Sequence, residues 1–159
     1  MVATKEEIGS LLDSLYIEMF DLIEQQTACR VNIERLMNSG QLMLAKTRYL
    51  QGSQTISSAQ MPTENSNEFN ALSEIAEQKN NAKISSVEYI LRKHAINKQE
   101  GFVEPMHWFT MLPPSSLRAA SEQFKKCVEL VVESANVQRE LLAVMENIQK
   151  VKHKQIKSF

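Results

Sequence analysis

The chain has 159 residues, 43% of them hydrophobic and 23% charged, which is the size and balance of one ordinary soluble domain. A formal net charge of −1 argues against attachment to nucleic acid by phosphate neutralisation, which needs a concentrated basic face. No apolar run approaches the ~18 residues of a membrane span, and the start "MVATKEEIGS" carries charges where a signal peptide needs an apolar core. The chain is therefore expected to be cytosolic or nuclear unless a partner carries it to a membrane.

The first predicted element is a helix over 4–39. Thr4 and Glu7 have the spacing of a reciprocal capping box. Downstream, Ile8, Leu12, Leu15, Met19, Leu22, Gln26, Cys29, Ile33 and Leu36 recur at alternating steps of four and three, the heptad period that keeps one seam facing a partner helix. Leu11, Phe20 and Ile23 widen the stripe. Gly40 follows as the expected left-handed C′ residue. A short motif segment, 40–52, holds "GQLMLAKTRYLQG". It reads either as a short helix folding back with Lys46 and Arg48 reaching water, or as a docking surface that sets Arg48 beside Tyr49.

A polar stretch over 53–103, rich in Ser, Asn and Gln, is expected to be largely mobile or irregular. Leu72 with Ile75, and Ile84 with Val87 and Leu91, have helical spacing, so one or two short helices could form there. Residues 104–116 contain the single tryptophan, Trp108, beside Phe109 and just ahead of Pro113-Pro114. The aromatic pair is expected to anchor the chain at the entrance of a second helix, and the prolines to set its direction.

That second helix is expected over 117–152, on the heptads Leu117, Ala120, Phe124, Cys127, Val131, Ser134, Gln138, Leu141, Met145 and Ile148. The basic tail, 153–159, continues a positive C-terminal part in which residues 115–159 carry eight Lys/Arg against five Asp/Glu. Cations there complement a helix macrodipole or attract an anionic membrane surface.

These elements imply an all-α fold: an antiparallel coiled-coil hairpin of two long helices with a polar, partly ordered middle, in one coiled-coil domain over 1–159. The expected register pairs Gln26 with Ser134, Cys29 with Val131, Met19 with Leu141, Leu15 with Met145 and Leu36 with Phe124. The rival register sets Gln26 against Cys127, and so buries an amide against an apolar group at a cost of roughly 1–3 kcal/mol.

Nothing in the sequence is arranged for catalysis. His94 and His107 lack acidic residues at ligand spacing, His153 lies in the basic tail, and Cys29 and Cys127 fall on core heptad positions where a thiol packs as a small apolar group. Four scattered glycines make no phosphate loop. The chain is read as a non-enzyme, with no catalytic, cofactor or metal site.

The order of motifs is more specific than the heptads. The LAK-x-RY core of Leu44, Ala45, Lys46, Arg48 and Tyr49 precedes a WF-x-x-L-x-P-x-SLR run of Trp108, Phe109, Leu112, Pro114, Ser116, Leu117 and Arg118. Together they resemble the coiled-coil assembly factors of the vacuolar proton-ATPase (V-ATPase), of the coiled-coil domain-containing protein 115 type. The likeness covers roughly 8–52 and 104–148.

The resemblance implies a chaperone-like factor for the membrane-embedded Vo sector, acting at the cytosolic face of the endoplasmic reticulum. It also implies early secretory and endolysosomal compartments as further places. Its partners would be a small membrane-spanning assembly factor and Vo subunits, with membrane association only through that partner and no nucleic acid. The motif residues, Ser116 aside, become candidate partner-binding residues. The heptads alone would equally fit a generic coiled-coil tether or scaffold subunit.

Overall fold

The computed structural model describes residues 5–52 and 54–157. Thr4, the expected first cap, lies outside them. Helix α1 runs over Lys5–Gln51, strand β1 over Ser73–Lys79, strand β2 over Val87–Lys93 and helix α2 over Ser115–Lys157, with short 3-10 turns at Ser58–Gln60, Lys98–Glu100 and Pro105–Trp108. The two strands form one antiparallel sheet. Their pairing keeps a constant register, since the Asn80 amide donates to the Ser86 carbonyl at 3.0 Å and the His94 amide to the Leu72 carbonyl at 2.9 Å.

The expected all-α fold is corrected by that hairpin. Of the residues given helical spacing, Ile75 lies in β1 and Val87 and Leu91 in β2, while Leu72 and Ile84 fall outside both strands; Val87 through Leu91 are all half-buried. A two-stranded hairpin alone is marginal, so this one depends on what it packs against.

Contacts divide the chain into two compact units, Met1–Val31 with Glu77–Tyr89 and Val131–Phe159, and Asn32–Ala76 with Ile90–Leu130. In the first unit α1 and α2 pack antiparallel around Leu15, Leu22, Val144 and Ile148, flanked by Met19, Val137 and Leu141. Ser134 Oγ lies 3.2 Å from Gln26 Oε1, which is the polar pair expected of the register. Two other expected pairs fail. Val131 and Met145 are 48% and 41% exposed, and Val144 lies in the core instead. Leu11, Phe20 and Ile23 are exposed rather than part of the stripe.

The physical reason is that α2 has two contact faces in this unit. Ser134, Val137, Leu141, Val144 and Ile148 face α1, whereas Asn136, Arg139 and Glu140 hold the hairpin. The Asn136 side chain accepts from the Tyr89 amide at 2.7 Å and donates to its carbonyl at 2.8 Å. Arg139 donates to the Tyr89 hydroxyl at 2.6 Å. The Glu140 carboxylate accepts from the amides of Ile84 at 2.7 Å and Ser85 at 3.0 Å. Burial pushes the Glu140 carboxyl up, but those bonds and the charge of Lys83 outweigh it and hold the group below its ordinary value.

In the second unit α1 does not stop at Gly40. It continues to Gln51, and Gly52, at φ 95°, is the residue that leaves the helix. Gly40 serves packing instead: a Cβ there would stand 2.7 Å from the ring of Phe124, so the missing side chain is what admits the aromatic from α2. At the far end Thr47 Oγ1 and Ser116 Oγ meet at 2.7 Å, both buried. Helix α2 begins at Ser115, two residues earlier than expected, and the expected tail is helical through Lys157.

Candidate functional site

The second unit contains a cavity of about 820 Å³, the size of a small-molecule pocket. Leu44 and Arg48 of α1, and Leu117, Ser121 and Phe124 of α2, form part of its wall. Further wall comes from the polar middle, with Ile56, Met61, Leu72, Leu91 and Ile96, and from Met106 and Phe109 of the segment ahead of α2. Lys93, His94, Glu104, Pro105, Lys125 and Val128 also line it, and small residues at Ser57, Ser58, Ser73 and Ala95 leave volume that larger side chains would fill.

Each local structure has a chemical cause. Ser57 caps the turn at Ser58–Gln60 in a capping box with Gln60, and the Gln60 amide also reaches the Phe109 carbonyl at 3.3 Å. Arg48 Nε donates to the Ile56 carbonyl at 3.2 Å, tying α1 to the segment that follows it. Asn70 donates to the Glu100 carbonyl at 2.7 Å, and Gly101 takes the left-handed conformation that ends the neighbouring turn. His94 stacks on Phe102 with ring centroids 4.9 Å apart and stands 3.4 Å from Glu74.

Glu104 is the buried acidic residue of the wall. It is only 9% exposed. Its Oε2 lies 3.4 Å from Lys125 Nζ, which is also 3.7 Å from Glu122. Its Oε1 is buried without a hydrogen-bond partner, the one such side-chain atom among the described residues. Leaving a buried acceptor unsatisfied costs roughly 1–3 kcal/mol.

The candidate residues read from the sequence divide into three sets. Leu44, Arg48, Phe109 and Leu117 come together on the cavity wall. Ala45, Lys46, Tyr49, Leu112 and Arg118 are exposed, Tyr49 at 88% and Leu112 at 83%. Trp108 and Pro114 are structural. Trp108 is half-buried and meets Phe69 edge-on, with centroids 5.1 Å apart, so its partner is in the middle segment. The Pro114 carbonyl accepts from the Arg118 amide at 3.1 Å in the first turn of α2, and Arg118 Nε donates to the Pro113 carbonyl at 2.9 Å.

Sequence reasoning missed Glu104, Leu72, Leu91 and Lys125. Nothing local marks Glu104, whose importance comes from partners distant in the chain.

The thiols of Cys29 and Cys127 are free and buried in the helices, as their heptad positions implied. Burial, and then the charge of Glu133, pushes the Cys29 thiol up, away from nucleophilic chemistry. Among the described residues no cluster of three His, Cys, Asp or Glu could hold a metal ion, and no helix is long and apolar enough to cross a membrane. No protein-family model matches the chain, and no curated protein matches it in sequence.

Proposed function

We propose that this chain is a non-catalytic, chaperone-like assembly factor for the Vo sector of the vacuolar proton-ATPase. It would act at the cytosolic face of the endoplasmic reticulum with a small membrane-spanning partner. One observation carries most of the weight: Leu44 and Arg48 of the first motif and Phe109 and Leu117 of the second, about 60 residues apart in the chain, line one apolar cavity. Such a wall suits recognition, because most of its large side chains are those of Leu, Ile, Met and Phe. The exposed motif residues Lys46, Tyr49 and Arg118 offer a polar and aromatic outer surface of the kind that interfaces favour.

Affinity purification of the tagged chain from detergent-solubilised cells, followed by mass spectrometry, tests the reading. Recovery of a small two-span membrane protein together with Vo subunits is expected, and its loss of acidified compartments on depletion should accompany it. Recovery of vesicle-tethering subunits instead would replace the proposal with the scaffold reading.

A further inference from the structure

In the first unit each long helix carries apolar side chains on a flank that its own chain leaves uncovered. At about 100° per residue, the exposed Phe20 and Ile23 of α1 lie to one side of its contact with α2, with the half-buried Tyr16 beside them. On α2 the exposed Val131, Leu142 and Met145 lie at least about 120° around the helix from Asn136 and Glu140, which hold the hairpin. Because the helices run antiparallel, the sense of rotation reverses together with the direction of contact, so these two flanks open on the same side of the pair. Lys152 Nζ joins them there, 5.2 Å from the centre of the Tyr16 ring. Single exposed apolar residues are ordinary, but a face shared by two helices marks an interface.

Charge indicates what covers this face. Over 5–31, α1 carries two Lys/Arg against six Asp/Glu, whereas over 131–157, α2 carries five against three. The face thus has an acidic half and a basic half, which makes it complementary to itself. A second copy related by a two-fold axis parallel to the helices sets each acidic helix on a basic one, while a two-fold across the helices sets α1 on α1 and stacks like charge. Two helices of about 27 residues, at ~1.5 Å rise and ~10 Å across, offer roughly 800 Å² per copy, the area of a stable specific interface.

We propose that this face binds a second copy of the chain, closing the first units of two copies into an antiparallel four-helix bundle. A two-fold parallel to the helices leaves every residue at its own height, so α1 meets in the other copy's α2 the residues it already neighbours in its own. Lys152 stands at the height of Tyr16, one turn from Asp13. Asp13 of one copy therefore faces Lys152 of the other, twice in each dimer. The dimer stands apart from the assembly role, since it needs no partner but the chain itself.

Sedimentation equilibrium of the full chain at micromolar concentrations should show a species of twice the chain's 18.1 kDa. Leu142→Glu, exposed in the single chain and covered in the dimer, should sediment as a monomer with the helical circular dichroism of the parent. Asp13→Lys and Lys152→Glu should each weaken dimerisation at least tenfold, because like charges then meet twice. An equimolar mixture of those two variants pairs opposite charges at both contacts and should recover the parent's affinity to within threefold, a readout that an effect inside one chain does not move. A parent that stays monomeric through the micromolar range overturns the proposal, as does a dimer that survives Leu142→Glu. A mixture that fails to recover overturns the pairing of α1 with the other copy's α2.

Discussion

The two units use stretches of the same two helices and reach different interiors. In the first, aliphatic side chains close around Val144, which is completely buried, and Ile148, at 5% exposure. In the second, Phe124 seats on Gly40, and the chain between the helices supplies a wall of scattered apolar residues separated by serines, leaving a cavity. A heptad stripe therefore does not by itself decide whether a core closes. That depends on what the rest of the chain brings to its second side. The first unit receives the tip of the hairpin, residues 77–89, pinned by hydrogen bonds to α2, and the second receives the strand ends 73–76 and 90–93 with irregular segments whose small side chains do not fill the space.

The largest expected difference between the units is in truncation. Ile148→Ala should cost about 2–5 kcal/mol, because a tightly packed core relaxes little around the void. Leu72→Ala, half-buried on an existing cavity, should cost less than about 2 kcal/mol, since fewer contacts are lost. Urea denaturation of the two variants compares them directly, and equal losses would erase the distinction between a closed and an open interior.

Next in size is Gly40→Ala. Its new Cβ would meet the Phe124 ring at 2.7 Å, so overpacking should destabilise by about 1–3 kcal/mol despite alanine's better helix propensity. Adding Phe124→Leu should recover most of that loss. If Gly40→Ala melts at or above the parent temperature, α1 and α2 do not approach as described there.

Glu140→Gln probes the hairpin clamp of the first unit, with an expected loss of about 1–2 kcal/mol at neutral pH, as the bonds to Ile84 and Ser85 lose their charge. The carboxyl of Glu140 lies below its ordinary value of 4.5 in the folded chain. Its stabilisation is thus complete above that value and is lost as pH falls through the lower folded one. The parent should therefore lose stability across that acid range more steeply than Glu140→Gln. Parallel acid limbs in denaturation series at several pH values would sever the clamp from pH.

The smallest effect has the opposite sign to that at Gly40. Gly9 has open space where a Cβ would be, so Gly9→Ala should stabilise by up to about 1 kcal/mol. A thermal melt beside that of Gly40→Ala shows whether packing, rather than helix propensity, separates the two glycines.

The sequence by itself determined the two long helices, the buried thiols and the Gln26–Ser134 pair. All of these follow from periodicity along one face, a property that each segment carries locally. The WF and LAK motifs were legible as unusual, and four of their residues do line one cavity. Tertiary structure alone decided the rest. It carried α1 through Gly40, because Phe124 from another helix needs the space that glycine leaves. It turned residues 73–79 and 87–93 into strands, because Asn136, Arg139 and Glu140 of α2 satisfy hairpin groups that an isolated segment would leave to water. It also made Glu104 a buried acceptor, since burial and partnership depend on segments brought together only when the chain has folded, and no spacing within a segment records them.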